Sequence, residues 1–293
     1  MVYIRSFQLP SGSEETNFLS WDGENKRTCY TSRYPFGIFL SRELPQFRFE
    51  PVTILCGGNG SGKTTILNLI GEKLGLHRGA VFNRSAFFGR YLDLCRAETA
   101  PAFDRAAREA SRVITSDDVF DYLLDLRSLN EGIDRRRREL LEEYTEARYA
   151  SFQMRSLADV DRLRQVADAQ RKTGSRYVRD RVMNDVPGQS NGESAFLFFT
   201  RQMGEGGLYL LDEPENSLSP RLQLELRQFL EDSARFYRCQ LIIATHSPFL
   251  LSLRGARIYD LDGDKVEVRP WTQLPHVRAY YEFFREHERE FTE

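Results

Sequence analysis

The sequence predicts an α/β fold with a parallel core sheet, and three observations support this prediction. Apolar runs such as Leu208–Leu211 and Leu241–Ala244 do not alternate with polar residues, which is typical of strands covered by helices on both faces. A glycine-rich turn at residues 57–62 follows one such strand and precedes a segment of helical apolar spacing. Residues 219–230 also have helical spacing and begin with Ser-Pro, a common helix start. Strands and helices therefore alternate along the chain, as they do in α/β proteins.

We expect residues 1–96 to form an N-terminal antiparallel β-subdomain together with the glycine-rich turn and its helix. Strand-forming stretches at 2–9, 27–33, 37–40 and 47–49 are separated by Gly, Pro, Asn and Ser, which favour turns. In the helix after the turn, the apolar residues that share one face are Ile66, Leu67, Ile70 and Leu74.

The composition then changes and predicts an inserted helical lobe over residues 97–187. Gly and Pro become rarer there, Arg, Asp and Glu become more frequent, and the apolar pattern turns helical. Strand patterns return in residues 188–270, which complete the core of the same domain. The final segment, residues 271–293, is rich in aromatic residues and predicts a C-terminal helix.

Composition excludes several classes of protein. The chain has 293 residues and a formal net charge of −2, so any nucleic-acid contact must come from a local basic patch. The longest apolar run, Ala195–Phe199, is far shorter than the ~20 residues that cross a bilayer, and the N-terminus lacks a secretory signal. Four scattered cysteines indicate neither a disulfide framework nor a zinc site. We therefore expect a cytoplasmic protein without a membrane partner.

Residues 57–64 match the phosphate-binding pattern G-x-x-x-x-G-K-[ST], with a strand before it and a helix after it. Glycines let successive backbone N–H groups face phosphate oxygens, and the helix N-terminus adds partial positive charge. Lys63 is placed to reach the β- and γ-phosphates, and the Thr64 hydroxyl to bind Mg²⁺. The candidate nucleotide-binding residues are Gly57, Asn59, Gly60, Ser61, Gly62, Lys63, Thr64 and Thr65.

Two further strand ends carry candidate catalytic residues. Asp212 and Glu213 end the buried run LYLL, where Asp212 is placed to hold Mg²⁺ and Glu213 to polarise the attacking water. His246 follows the run LIIA, and parallel strands deliver their carboxyl ends to the ligand crevice. The structural alternatives are a strand that ends in two solvated acids and a histidine that only packs.

Together these motifs resemble the ATP-binding-cassette (ABC) ATPases, in particular the soluble non-transporter branch that includes RecF, SMC and OLD-type proteins. Ser190–Glu193 resembles the signature motif of the family, and Glu215–Ser219 occupies the place of its D-loop. The closest likeness is to compact bacterial ATPases with YLLDEPE and IIATHSP in this order. The resemblance implies the P-loop ABC-ATPase fold and a head-to-tail homodimer around two ATP and Mg²⁺. It also implies that Ser190 and Gly192 contact the γ-phosphate of the partner's nucleotide.

The sequence departs from the family pattern at several points. The signature reads QSNGE instead of LSGGQ, which makes a transporter subunit the weaker interpretation. Residues 80–90 occupy the place of the Q-loop but contain no glutamine, and the D-loop segment lacks its usual acidic residue. Tyr34 and Phe36 are the candidates for stacking on adenine.

The helical lobe and the C-terminal segment are the candidate partner surfaces. The Arg135–Arg138 run is surrounded by acids and is interpreted as a solvated helix face. The Arg155–Arg181 region holds eight basic residues against four acidic ones and is a candidate surface for duplex DNA. Aromatic residues after Trp271 either pack on their own domain or dock an effector protein.

These observations predict an Mg²⁺-dependent ATPase that dimerises on ATP. Hydrolysis would act as a switch that controls a partner protein or DNA, in DNA repair or in anti-phage or toxin-type defence. Two alternatives remain: a nucleotide-gated scaffold with little turnover, and the nucleotide-binding subunit of a transporter.

Overall fold

The non-alternating apolar runs form the centre of a seven-stranded sheet, as the sequence predicts. The computed structural model describes residues 1–21, 32–151, 160–184 and 190–291. Within these ranges the strands are β1 (Ile4–Gln8), β2 (Phe47–Arg48), β3 (Val52–Cys56), β4 (His77–Arg78), β5 (Arg96–Thr99), β6 (Arg112–Thr115), β7 (Leu208–Asp212), β8 (Gln240–Ala244), β9 (Arg257–Asp260) and β10 (Glu267–Val268).

The helices match most of the segments with helical spacing. They are α1 (Gly12–Trp21), α2 (Lys63–Leu74), α3 (Phe88–Leu94), α4 (Arg105–Ala110), α5 (Ser116–Tyr149), α6 (Val160–Arg171), α7 (Gly174–Arg179), α8 (Asn191–Gln202), α9 (Pro220–Phe236), α10 (Pro248–Leu251) and α11 (Pro275–Glu286). Short 3₁₀ turns at Trp271–Gln273 and Glu288–Phe291 flank α11, so the predicted C-terminal helix is shorter than its segment. Within the described ranges, no helix is both long and apolar enough to cross a membrane.

The large sheet has the strand order β10-β9-β3-β8-β7-β6-β4 and is parallel except for its edge strand β10. Every residue of β3, β7 and β8 is buried, which confirms strands covered on both faces. The registers pair Leu55 with Ala244 and Ala244 with Asp212. Three carboxyl ends therefore meet at the same edge, where the predicted site residues begin.

The apolar face of α2 forms part of this core. All four predicted face residues are buried, and α2 packs against β7 and β8. Packing of this face against the sheet therefore holds in place the helix that starts at the glycine-rich turn.

The N-terminal β-subdomain is antiparallel, although its elements differ from the prediction. A three-stranded sheet joins β1 to β2 and to β5. Residues 37–40 form a turn instead of a strand, because Pro35 and Gly37, with a φ of 91°, interrupt the extended chain. Residues 12–21 form α1, which the sequence analysis missed, and most of the predicted strand at 27–33 lies outside the described residues.

The chain divides into two units: Met1–Val119 with Asn191–Glu293, and Phe120–Ser190. We call these the ATPase unit and the helical unit. Residues 97–119, which the sequence analysis assigned to the helical lobe, belong to the ATPase unit and include β6 of the large sheet. The apolar part of β6 is only Val113–Ile114, too short to stand out in a charged segment.

The helical unit contains the larger part of α5 together with α6 and α7. These three helices share a small apolar cluster formed by Leu140, Ala147, Val166, Ala169, Tyr177 and Val178. The unit is therefore helical, as its composition predicts.

Candidate active site

The glycine-rich turn joins β3 to the first residue of α2, and its glycines are required by geometry. Gly60 and Gly62 have φ angles of 79° and 96°, in the left-handed region that other residues rarely adopt. A Cβ on Gly62 would lie 2.5 Å from Cε1 of Phe39. Residues 58–60 of the turn are exposed, so a ligand can approach their backbone closely.

Lys63 is folded back over this turn. Its Nζ donates hydrogen bonds to the carbonyl oxygens of Gly57 at 2.7 Å and Gly58 at 3.1 Å. The same Nζ lies 3.8 Å from Oε1 of Glu213, and the side chain is 5% exposed. A buried cation thus lies between the phosphate-binding turn and the carboxylate at the end of β7.

Asp212 ends β7 within contact of α2. Its Oδ1 is buried with no hydrogen-bond partner among the described residues. Burial raises the pKa of Asp212 to about 6, and the nearby charge of Glu213 adds to this effect. A buried carboxylate oxygen without a donor fits a divalent cation, for which carboxylate and hydroxyl oxygens are suitable ligands.

Glu213 faces both Lys63 and His246. Its backbone φ of 47° is unusual for a residue with a side chain, and its N–H donates to the carbonyl oxygen of Ala244 at 2.9 Å. Oε1 lies 3.8 Å from Nδ1 of His246, and Oε2 accepts a hydrogen bond from Asn216. Such strained backbone held by its surroundings is typical of functional sites.

Glu215 also belongs to this cluster, which the sequence analysis did not predict. Its buried Oε1 accepts hydrogen bonds from Oγ1 of Thr245 at 2.5 Å and from the backbone N–H groups of His246 and Ser247. The available signal was a second acid two residues after Glu213, beyond the end of a buried strand.

Two other contacts hold the turn in place, and no pattern in the sequence indicated them. Nη1 of Arg42 donates to the carbonyl oxygens of Ser61 at 2.6 Å and Leu261 at 3.1 Å. The N–H of Gly58 donates to Oδ1 of Asp262 at 2.7 Å. Both contacts tie the turn to the segment after β9.

The remaining turn residues differ in their surroundings. Asn59 is exposed, whereas Ser61 is buried and its Oγ has no hydrogen-bond partner within the part of the chain that the structure describes. Oγ1 of Thr65 lies 3.2 Å from the hydroxyl of Tyr34. The Thr65 hydroxyl thus contacts an aromatic side chain as well as lying in the first turn of α2.

The two candidates for stacking on adenine, Tyr34 and Phe36, lie in different surroundings. Tyr34 is half-buried and reaches Thr65, so it lies beside the start of α2. Phe36 is buried and stacks on Phe18 with ring centroids 4.4 Å apart. Phe36 is therefore a core residue, and Tyr34 is the candidate that remains.

The signature residues lie at the start of α8. Ser190 is exposed immediately before the helix, and Gly192 lies in its first turn. A Cβ on Gly192 would lie 3.0 Å from the carbonyl oxygen of Ser217, so this glycine packs against the 217–218 backbone. The structure thus brings Lys63, Thr64, Asp212, Glu213 and His246 together, while Gly192 lies beside the segment that resembles the D-loop.

Two family models match parts of the chain. The family model described as "ABC transporter" matches residues 46–216, and the model described as "AAA domain, putative AbiEii toxin, Type IV TA system" matches residues 182–252. No curated protein matches the chain.

Solved structures with a similar arrangement include two described as "Dimeric structure of a post-hydrolysis state of the ATP-binding cassette MJ0796 bound to ADP and Pi" and "Dimeric Structure of MJ0796, a Bacterial ABC Transporter Cassette". The first is 14% identical, with a TM-score of 0.37, and the match covers 80% of this chain and 92% of the other. The second is 16% identical, with a TM-score of 0.38 and coverage of 78% and 88%. A third, "An inward-facing conformation of a putative metal-chelate type ABC transporter", is 15% identical, with a TM-score of 0.39 and coverage of 80% and 78%.

The match to the ABC transporter model covers more than half of the chain. It includes the glycine-rich turn, the signature segment, Asp212 and Glu213, and His246 lies in the segment that the second family model matches. The chain therefore belongs to the ABC transporter family and is an ATP hydrolase with an ABC-type ATPase domain.

Proposed function

We propose that the protein is an Mg²⁺-dependent ATPase that dimerises head-to-tail around two ATP molecules. Hydrolysis acts as a switch that controls a partner protein or DNA, in DNA repair or in anti-phage or toxin-type defence. The observation that carries the proposal is the cluster at the carboxyl edge of the sheet, where Lys63, Asp212, Glu213 and His246 converge on the phosphate-binding turn.

Lys63 and the turn bind the phosphates. The Nζ group now bonds to two carbonyl oxygens of the turn, and these bonds are exchanged for bonds to phosphate oxygens when ATP enters. The backbone N–H groups of the turn and the N-terminus of α2 provide further positive potential. Binding therefore depends on Lys63 more than on any other single side chain.

Thr64 and Asp212 hold Mg²⁺. Oδ1 of Asp212, which has no hydrogen-bond partner within the described ranges, supplies the ligand atom, and ionisation of this carboxyl becomes favourable when a cation is near. When bound, Mg²⁺ neutralises part of the charge on the transferred phosphoryl group.

Glu213 acts as the base that orients and deprotonates the attacking water, and His246 lies beside it to contact the γ-phosphate. Both side chains are partly exposed, at 27% for Glu213 and 48% for His246, so water and nucleotide can reach them. A water-positioning side chain of this kind typically accelerates a reaction by about 10²- to 10⁴-fold.

Dimerisation completes the site. Ser190 is exposed and can present the start of α8 to a second protomer, while Gly192 lies beside the 217–218 backbone of its own chain. A helix start carries the partial positive charge that favours a γ-phosphate. A symmetric sandwich of this type is an isologous dimer.

The first experiment combines Glu213→Gln with light scattering. We expect this variant to bind Mg-ATP but to lower kcat about 10²-fold or more and to accumulate as a dimer. Glu225→Gln, an exposed acid on α9, is the matched control and stays like the wild type. A Glu213→Gln protein that remains monomeric with Mg-ATP contradicts ATP-dependent dimerisation.

The second experiment tests the signature segment. Ser190→Arg places a long cation where the partner's nucleotide would lie, so we expect it to block dimerisation without loss of ATP binding by the monomer. Sedimentation velocity with Mg-ATP measures this directly. If the variant dimerises like the wild type, Ser190 is not a ligand across the interface.

The third experiment distinguishes the partners. Steady-state ATP turnover is measured at fixed salt with and without duplex DNA, for the wild type and for a variant with Arg176, Arg179 and Arg181 neutralised. Stimulation by DNA that the variant loses supports DNA control through the Arg155–Arg181 region. In that region Arg181 and Lys172 are already paired with Asp168.

Turnover that does not respond to DNA supports control of an effector protein instead. The helical unit and α11 are its candidate surfaces, since Tyr280, Tyr281, Phe283 and Phe284 on α11 are each about half exposed. Absence of turnover supports the nucleotide-gated scaffold.

A nucleotide-binding subunit of a transporter is the second candidate function, because the matching family model carries that description. Co-purification with an integral membrane protein from the native host supports this candidate, and recovery without one supports the switch.

A further inference from the structure

We propose that Glu215 is a positioning residue, which holds the loop that carries His246 against Glu213. ATP hydrolysis then depends on Glu215 although its side chain acts through another residue. This inference rests on the role proposed above for His246.

Three hydrogen bonds converge on one oxygen of Glu215. Oε1 accepts from Oγ1 of Thr245 at 2.5 Å, from the N–H of His246 at 3.1 Å and from the N–H of Ser247 at 3.2 Å. These are the three residues that follow β8. A charged acceptor makes each bond stronger than a neutral one would be. The backbone on both sides of the histidine is therefore fixed by a single carboxylate.

This contact joins the loops that follow two neighbouring strands. Glu215 lies after β7, and its donors lie after β8, 30 to 32 residues farther along the chain. The bond from the N–H of Glu213 to Ala244 continues the same connection. Nδ1 of His246 lies 3.7 Å from Oε1 of Glu215 and 3.8 Å from Oε1 of Glu213. The position of the imidazole relative to Glu213 thus depends on Glu215.

The burial of Glu215 argues against a role in stability alone. Its side chain is 6% exposed, and Oε2 is buried without a hydrogen-bond partner in the described ranges. A buried carboxylate with one oxygen unpaired is unfavourable for folding, and such groups call for a functional explanation. The explanation we propose is that Glu215 holds three hydrogen-bond donors of the loop that carries His246.

The experiment measures kcat, KM and the Kd for ATP in Glu215→Ala and Glu215→Gln. We expect the alanine variant to lower kcat about 10- to 100-fold, because displacing a reacting group by about 1 Å has effects of this size. KM and Kd should stay within about twofold of the wild type, since the hydrogen bonds that Glu215 accepts come from Thr245, His246 and Ser247, which lie outside the phosphate-binding turn. The glutamine variant keeps an acceptor oxygen and should recover most of kcat. Glu225→Ala is the matched control and should change none of these quantities.

A double-mutant cycle with His246→Ala tests whether Glu215 acts through the histidine. We expect Glu215→Ala to produce no further loss of kcat in the His246→Ala background, because the loop then has nothing to position. Independent, additive losses overturn the proposal. It is also overturned if the alanine variant has wild-type kcat, or if KM and Kd rise in proportion to the loss.

Thr245→Val covers the case in which Glu215→Ala does not fold. This variant removes only the hydroxyl donor, and we expect a fall in kcat of about threefold that vanishes in the His246→Ala background. A Thr245→Val effect that persists there overturns the proposal. If His246→Ala lowers kcat but the Glu215 and Thr245 variants do not, only the positioning role fails. If His246→Ala has no effect, the role proposed for the histidine fails as well.

Discussion

The ATPase unit buries several charged side chains at one edge of its sheet, whereas the helical unit keeps paired charges at its surface. In the ATPase unit Lys63, Asp212 and Glu215 are buried and converge on one edge of the sheet. Asp212 and Glu215 each have a carboxylate oxygen with no hydrogen-bond partner among the residues that the structure describes. In the helical unit, charged side chains such as Arg136 and Asp168 lie at the surface and are paired within or between helices. Buried charge with unused bonding capacity is suited to a ligand, whereas paired surface charge is not.

The ATPase unit also has the more extensive apolar core of the two units. The central strands of the ATPase unit are buried along their whole length, between helices on both faces. Among its described residues, the helical unit has an apolar cluster of six buried residues. The unit that holds the candidate active site is thus also the one whose central strands are fully enclosed, which suits a precisely positioned site.

The first prediction compares one lysine from each unit, Lys63 and Lys172, by the loss of ATP binding on substitution with alanine. Lys63→Ala should weaken ATP binding about 100-fold or more, because it removes charge-assisted bonds worth about 3 kcal/mol. Lys172→Ala should leave ATP binding unchanged, since Lys172 is paired with Asp168 and Asp180 in the helical unit. Titration calorimetry with ATP checks both, and similar losses in the two variants would remove the distinction.

The second prediction compares equal substitutions in the two cores. Leu210→Ala, in the middle of β7, should lower the free energy of unfolding by about 4 kcal/mol, and Leu140→Ala on α5 by about 2 kcal/mol. Both leucines are essentially fully buried, but the smaller cluster around Leu140 can collapse more readily. Urea unfolding measures both values. Equal losses would show that the two cores are packed equally tightly.

The third prediction concerns the buried carboxyl of Asp212. Because its folded-state pKa of about 6 lies above the ordinary 3.8, its ionised form destabilises the folded protein at neutral pH. Asp212→Asn should therefore stabilise the Mg²⁺-free protein by up to about 3 kcal/mol at pH 7.5. The advantage should shrink as the pH falls through 6 towards 4, where the wild-type carboxyl is protonated. Urea unfolding in a chelator at several pH values tests this, and a gain independent of pH contradicts it.

The same contrast explains what the sequence could predict. The phosphate-binding turn and the apolar face of α2 depend on residues close together in the chain, so local pattern was sufficient. The ends of β7 and β8 were predictable because their apolar runs are continuous. These elements placed Lys63, Asp212 and Glu213 correctly at one edge of the parallel sheet.

The missed features join distant segments. Arg42 reaches Leu261 across 219 residues, and Gly58 reaches Asp262 across 204. Hydrophobic periodicity carries no information about such contacts. The sequence also does not show whether Glu215 joins two loops or is simply a solvated acid. The strand β6 was missed because only two of its residues are apolar and the surrounding sequence is charged. Tertiary pairing with β7 selects the strand there.

The smallest expected effect is at the surface of the helical unit. Nη1 of Arg136 lies 2.9 Å from Glu139 and 3.2 Å from Glu143, but its side chain is 51% exposed. Because water and salt screen such a pair, Arg136→Ala should leave the urea midpoint and the ATPase rate unchanged within error. Repeating the measurement at low and high salt provides the control, since any residual contribution of this network must diminish as salt rises. A clear loss of stability that persists at high salt would mean that the surface charges of the helical unit contribute to folding and are not merely screened ion pairs.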